Sequence, residues 1–589
     1  MKTKTTIISL LTAAILAGGL FLLVKKQIPE TKEVVNIDNT AVAICPAKQP
    51  VEEKPLICTP PPVPHPAQAE VQTQKKAKAQ AEFLSIVEDA APIIAEEEVV
   101  CCEALVTTSS SYNYDQETNR NEYNQLAENK FRKVNNEPLS TFSIDVDAAS
   151  YGTIRRYINE GQNPPADAVR VEELINYFSY NYEKPTGKDP INITTEVGPC
   201  PWNKENRLVR IGLKAKEIPS ENLPASNLVF LVDVSGSMYG PDRLGLVKSS
   251  LKLLINNLRE EDRVAIVVYA GEAGVVLPST SGSNKQKIRE ALDELTAGGS
   301  TAGGAGIQLA YDIARKNYIR EGNNRVILCT DGDFNVGVSS SEGLERLVEK
   351  ERKSGVFLTV LGYGMGNYKD SKMQVLAEKG NGNHAYIDNI QEANKTLVHE
   401  FGSTMYAVAK DVKLQIAFNP DQVQEYRLVG YESRLLNNKD FNDDTKDAGE
   451  MGAGHTVTAL YEIKPNNAPR TMQFAKPELL AIRLRYKAPY SDVSQLIENK
   501  LKANSSNKLS PDFYFASAVA MFGQLLRNSE YKGTGSYNQV ISLAQSGLVN
   551  DRQGYKREFI RLVETMNGLT AATSTIIPAC ITLPTTYYD

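Results

Sequence analysis

Between Asn227 and about Met405, short apolar runs alternate with amphipathic helical stripes. The runs are LVFLVD, RVAIVVYA, RVILCTD, VFLTVLGYG and HAYIDN. The stripes fall on Leu244, Val247, Leu251, Leu254 and Leu258, then on Ile288, Leu292 and Leu295, then on Leu344, Leu347 and Val348. A short run without polar alternation reads as a strand buried on both faces, and helices between such strands cover a mostly parallel sheet. The pattern predicts a doubly wound α/β unit over 226–405, with its ligand site beyond the carboxyl ends of the strands. Order begins upstream near LSTFSIDVDAASYGTIRRYINEG, with a helix on Val171, Leu174, Ile175 and Phe178 and strands in INITTEVGP and RLVRIGLKAKEI. Downstream come strand-like DVKLQIAFNP, EYRLVGYES, HTVTALYEIKP and LLAIRLRYKAP, then helical FYFASAVAMFGQLL and YKREFIRLVETM. Strands on both sides predict that the α/β unit is inserted into a β-sandwich built from flanks at 118–225 and 406–589, because domain termini tend to lie close together.

The first residues break this pattern. Lys2 and Lys4 precede the apolar run Thr5 to Val24, which closes on Lys25 and Lys26. About 20 apolar residues span a bilayer core as a helix. The expectation is an uncleaved membrane anchor over 1–26, although Ala17-Gly18-Gly19 offers a cleavage site of the secretory type. No cysteine lies in or just after the run, which argues against a lipoprotein. From 27 to 117 the chain turns to Pro, Ala, Glu, Lys and Gln, as in CTPPPVPHPAQAE and QKKAKAQAE. Such a segment buries too little apolar surface to offset its ordering entropy. It reads as a disordered spacer, with a short helix around Phe83 to Ala91. The very short tail before the anchor places the bulk of the chain outside the cytoplasm.

At 589 residues the chain is too long for one core and predicts two to four folded units. A formal net charge of -6 gives no basic face for nucleic acid. Seven cysteines are an odd count without metal-site spacing. Cys329, inside RVILCTDG, reads as a buried, inert thiol, and an envelope location would permit a bond such as Cys200 to Cys580. His65, His384, His399 and His455 are scattered. The chain holds no His-Glu-x-x-His, no Gly-x-Ser-x-Gly and no Gly-x-x-x-x-Gly-Lys. An enzyme is not the expectation; a hydrolase using metal-activated water is the remote alternative.

The chemistry concentrates where strands stop. NLVFLVDVSGSMYG runs into Asp233 and then sets Ser235 and Ser237 around Gly236, three oxygen groups at one point. Hard cations take such ligands. TAGGSTAGGAG adds Thr301 and ILCTDGDFNVG adds Asp331, each at a loop of the same alternating unit. One Ser-Gly or Asp-Gly pair is ordinary turn chemistry; three in order single out a site. With these motifs the chain resembles a von Willebrand factor type A domain carrying a metal-ion-dependent adhesion site. The resemblance implies Mg²⁺, with Mn²⁺ as a substitute, held by Ser235, Ser237 and Thr301, with Asp233 and Asp331 acting mainly through bound water. It also implies a partner protein whose Asp or Glu carboxylate displaces one water. From about Thr118 to Asp589 the chain resembles bacterial envelope proteins built around this module. The implied function is a membrane-tethered binding protein for adhesion or envelope-complex assembly. The alternative is a scaffold for a chaperone-like ATPase system.

Two other cation readings fall nearby. Asp331, Asp333, Asn335, Ser339 and Glu342 have the spacing of a helix-loop-helix calcium loop. Gly337 comes one position late, however, and RVILCT reads as a strand where that motif needs a helix. The acidic run from Asp440 to Glu450 reads as a solvated loop, with a weak surface cation as the alternative.

Overall fold

The computed structural model describes residues 123, 125–300, 303–332, 341–364, 368–402, 406–466, 478–489, 491–502 and 508–575. The expected anchor at 1–26, the spacer at 27–117 and the short helix around Phe83 lie outside these residues. Among the described residues no helix is long and apolar enough to cross a membrane.

A central sheet is built from β5 (Ser226–Asp233), β6 (Arg263–Tyr269), β7 (Ala273–Ser281), β8 (Asn323–Thr330), β9 (Val356–Gly362) and β10 (His384–Tyr386), in the order β10-β9-β8-β5-β6-β7. All neighbours run parallel except β7, an antiparallel edge strand. Every residue of β5 is buried. Leu228, Phe230 and Val232 pack on one face with Val247, Leu251 and Leu254 of helix Leu244–Asn256. Val229 and Leu231 pack on the other with Ile307 and Ala310 of helix Gly303–Lys316. Side chains alternate across a strand, so an apolar run without breaks feeds both layers at once.

The flanks interleave. β1 (Arg132–Lys133), β3 (Ile191–Cys200), β4 (Asn203–Ala215), β12 (Val423–Val429) and β14 (Thr456–Pro465) form one antiparallel sheet in the order β1-β12-β14-β4-β3. β11 (Ala407–Phe418), β13 (Gly449–Gly452), β15 (Glu478–Lys487) and β16 (Ser494–Lys502) form another, joined by β2 (Leu139–Ser143) along β11. Both sheets contain strands from before and after the α/β unit. Val209, Ile211 and Tyr461 of the first sheet share one core with Leu414, Ile416, Ile482 and Leu484 of the second. The Ser226 and Tyr406 hydroxyls lie 2.7 Å apart, so the chain enters and leaves the α/β unit at neighbouring points.

A helical layer covers the outer face of the first sheet. α1 (Ala149–Asn159) and α2 (Val171–Asn176) pack with α9 (Pro511–Leu526), α10 (Tyr537–Ser546) and α11 (Tyr555–Thr575) in a core that includes Leu208 and Leu460. α9 starts on Ser510, whose hydroxyl accepts from Phe513 N at 3.2 Å, with Pro511 at the first position. Between them, in chain order, lie α3 (Leu244–Asn256), α4 (Lys285–Asp293), α5 (Gly303–Lys316), α6 (Ser341–Lys353), α7 (Asp370–Lys379) and α8 (Ile390–Asn394) of the α/β unit. α8 passes into a π-helical turn over Lys395–His399.

Candidate metal centre

The carboxyl end of β5 is the centre of the site, and sheet register decides what surrounds it. Asp233 lies opposite Tyr269 in β6. On the other side, Val232 lies opposite Cys329, which puts Thr330 beside Asp233. Both neighbours turn a hydroxyl to the same carboxylate oxygen: Oδ2 accepts from Tyr269 at 3.0 Å and from Thr330 at 3.3 Å. Oδ1 accepts the backbone N–H of Ser235 at 2.9 Å. Asp233 is fully buried, and that burial pushes its pKa above the usual carboxylate range against the Ser235 hydrogen bonds that lower it; the Asp331 carboxylate pushes the same way as burial. Burial and the Asp233 charge hold Tyr269 well above the ordinary phenol value, so it stays a neutral donor.

After Asp233 the chain leaves the sheet in a short 3₁₀ turn, Gly236–Met238. Gly236 N donates to Gly299 O at 3.0 Å and Gly298 N to Val234 O at 2.8 Å, tying this turn to the glycine loop that leads to Thr301. Arg243 Nη1 donates to Ser237 O at 2.6 Å from the far side. The Ser235 and Ser237 hydroxyl oxygens lie 3.1 Å apart. Asp331 follows β8 directly and is buried. Gly332 holds a φ of +94°, and a Cβ there would stand 2.8 Å from Lys369 N. Only glycine meets both demands without strain.

The structure thus brings Asp233, Ser235, Ser237 and Asp331 to the carboxyl edge of the sheet, while Thr301 lies outside the described residues. The donor set fits a hard cation. Adjacent ligands of octahedral Mg²⁺, with bonds of about 2.0–2.1 Å, stand about 2.9–3.0 Å apart, close to the serine hydroxyl spacing. Among the described residues no three His, Cys, Asp or Glu side chains gather as for a transition metal.

The competing calcium loop falls largely on residues outside the description, but β8 precedes it as a strand where that motif needs a helix. In and beside the acidic run, lysines take several of the acceptors. Lys413 Nζ donates to the carbonyls of Asp440 and Asp443, and Lys487 Nζ donates to Asp444 O at 2.7 Å and Asp411 Oδ2 at 2.6 Å. Cys200 and Cys329 are buried; burial raises both thiols, that of Cys329 to about 12. Cys580 lies outside the described residues.

Comparison with known proteins places this geometry in a family. The family model of the von Willebrand factor type A domain matches residues 227–400, a von Willebrand factor model matches 117–210, and the model of the C-terminal region of the uncharacterized protein YfbK matches 403–569. YfbK of Escherichia coli K12 is 46% identical over 468 residues, covering 76% of this chain and 81% of that protein. The chain belongs to the YfbK family of von Willebrand factor type A domain proteins. A more distant relative of this family member is human inter-alpha-trypsin inhibitor heavy chain H3, 24% identical over 302 residues, 48% of this chain and 33% of that one. Among solved structures, a von Willebrand factor type A protein from Catenulispora acidiphila is 16% identical with a TM-score of 0.35, covering 74% of this chain and 91% of that one. The family's type A domain accounts for the doubly wound sheet, and such domains commonly bind protein partners.

Sequence reasoning missed the side chains that hold Asp233. Tyr269 is the last residue of β6, within the run RVAIVVYA, and Thr330 sits in the quoted CTDG, but neither carries a signal until register sets both beside the aspartate.

Proposed function

We propose that this protein is a membrane-tethered, metal-dependent protein-binding module that captures an Asp or Glu side chain of another protein in adhesion or envelope-complex assembly. The observation that supports it best is the pair of serine hydroxyls 3.1 Å apart beside two buried carboxylates at the carboxyl edge of the sheet. Ser235, Ser237 and Thr301 would hold Mg²⁺ directly, and Asp233 and Asp331 would act mainly through water. Bound there, Mg²⁺ supplies an electron-poor centre that accepts a partner carboxylate, because its direct protein ligands are neutral hydroxyls. Tyr269 and Thr330 fix the Asp233 carboxylate, and Arg243 fixes the serine turn from behind. No bond is made or broken in this function, so the protein is read as a binder and not an enzyme. The apolar run from Thr5 to Val24 supports a membrane tether, and placement of the bulk of the chain outside the cytoplasm is part of the proposal.

Isothermal titration of Mg²⁺ and Mn²⁺ into wild type, Asp233→Ala and Thr301→Ala tests the site. One saturable site in wild type that both variants lose is the expected result; a wild type with no site removes the main support. Protease protection in membrane vesicles of known orientation tests the tether, and cleavage of the type A domain only from the cytoplasmic side would overturn its placement.

A further inference from the structure

The N-terminal flank starts its described course at the sheet edge that carries the proposed metal site. Register sets Tyr386 of β10 opposite Gly362, Gly362 opposite Thr330, and Thr330 beside Asp233, so the four stand in one row at the carboxyl edge. Neighbouring strands are about 4.8 Å apart, and three spacings put Tyr386 roughly 14–15 Å from Asp233. α1 climbs past this row. Near its start Ala148 N donates to His384 O at 3.4 Å, and near its end Arg156 Nη1 donates to Tyr386 Oη at 2.5 Å. The Tyr386 hydroxyl donates in turn to Gly364 O at 2.5 Å, in the loop after β9.

Tyr123 is seated at this edge. It faces Tyr157 and Arg156 of α1 and Asp370 at the start of α7. Lys369, the residue before Asp370, stands against Gly332, the residue after Asp331. From Tyr123 the chain runs down to the sandwich, where Asn129 Nδ2 donates to Gly430 O at 2.7 Å and Leu428 O at 3.2 Å, and β1 pairs with β12. The residues upstream, SYNYDQETNRNE over 111–122, are therefore attached at the metal edge and not at the sandwich. They carry three carboxylates, Asp115, Glu117 and Glu122. An extended chain spans about 3.3–3.6 Å per residue, so Glu117 reaches roughly 20–22 Å from Tyr123 and Asp115 roughly 26–29 Å, both enough to cross the row. Glu122, one residue away, is too near to do so.

We propose that Asp115 or Glu117 of this chain supplies the carboxylate at the metal while no partner is bound, so that the site is capped from within and a partner's Asp or Glu must displace the cap. The inference rests on the metal site proposed above. Mg²⁺ held by neutral hydroxyls accepts any carboxylate that can replace one of its waters, and it does not distinguish an internal one from a partner's. A short flexible connection gives the internal carboxylate an effective concentration in the millimolar range. A lone carboxylate on another protein competes poorly with that, so capture needs further contacts from the partner around the ion.

Mn²⁺ titrated into the full chain, followed by the relaxation of water protons, tests the cap because it counts the waters left on the bound ion. Wild type should carry about one exchangeable water fewer per bound Mn²⁺ than the double variant Asp115→Asn, Glu117→Gln. Mg²⁺ should also slow tryptic cleavage after Arg120 in wild type and leave it unchanged in the double variant. The two single variants show which carboxylate forms the cap. A wild type that binds Mn²⁺ with the same water count as the double variant, or that is cleaved after Arg120 at one rate with and without Mg²⁺, overturns the cap and leaves the metal site standing. A wild type that binds no Mn²⁺ overturns both.

Discussion

Arg155 of α1 ties three separate parts of the chain together, and replacing it by methionine should cost more than any other single change at that junction. All five of its N–H donors are engaged: Nε and Nη2 with Asp388, Nη2 also with Glu392 at 2.7 Å, and Nη1 with Glu558 at 3.0 Å and Tyr177 Oη at 3.1 Å. Asp388 and Glu392 belong to the end of the type A domain and Glu558 to α11. Side-chain exposure is 1% for Arg155, 6% for Asp388, 1% for Glu392 and 14% for Glu558, so Arg155→Met leaves two fully enclosed carboxylates without a counterion and a third less affected. Removing one partner of a buried ion pair costs about 3–5 kcal/mol. At about 2 °C per kcal/mol for a chain of this size, the Tm should fall by roughly 6–10 °C. Burial already lifts Asp388 above the usual carboxylate range despite Arg155, and losing the guanidinium lifts it further. The variant's folded state would then bind protons that its unfolded state does not, so its deficit should shrink as pH falls from 7 to 5. Calorimetric scans of wild type and Arg155→Met at both pH values measure this. A loss below about 1 kcal/mol, or an equal deficit at pH 5 and 7, refutes the reasoning.

Gly332→Ala forces a Cβ at φ +94° to within 2.8 Å of Lys369 N and 2.9 Å of Tyr368 Cα, which should cost about 2 kcal/mol or more; thermal unfolding reads the loss and a Mg²⁺ titration should show weaker binding through the adjacent Asp331. Lys413→Met leaves the Asp440 and Asp443 carbonyls without their buried donor and should cost about 1–3 kcal/mol, with faster hydrogen exchange over 438–447. Tyr239 is 83% exposed beside the serine turn, so Tyr239→Ala should change stability by less than about 0.5 kcal/mol and leave the Mg²⁺ isotherm unmoved.

The central sheet could be read from the sequence because its strands are buried on both faces and so carry unbroken apolar runs, the strongest local signal a strand can give. β7 gave none: Val275 and Val276 point to solvent at the sheet edge and Pro278 interrupts the run. β16, SQLIENKLK, is polar for the same reason, lying at the margin of its sheet. The interleaving of the flanks was legible only as strand character on both sides. Leu414 opposite Phe142 and Leu460 opposite Arg210 are pairings between residues about 250 or more apart in sequence, and local periodicity carries no register. The buried charges were hidden as well. Arg155, Arg156, Glu172 and Glu173 look like the solvated face of short helices until neighbours from distant segments enclose them.

The site divides along the same line. Asp233, Ser235 and Ser237 are legible together because five residues of one strand end carry all three, and chain continuity alone brings them to one place. Asp331 is legible one step less directly, since it needs β8 to lie beside β5 in parallel, which the alternation of strand and helix implies. The hydroxyls on Asp233 need more than topology. Slipping β6 against β5 by one residue would turn Tyr269 to the opposite face, leaving Oδ2 with Thr330 alone in a fully buried position. The register is held by Val267 and Tyr269 packing on one layer while Val264 and Ile266 pack on the other. The carboxylate's hydrogen bonds are therefore a consequence of core packing several residues away, and a core substitution in β6 that disturbs this register should weaken Mg²⁺ binding at the proposed site without touching any residue of it.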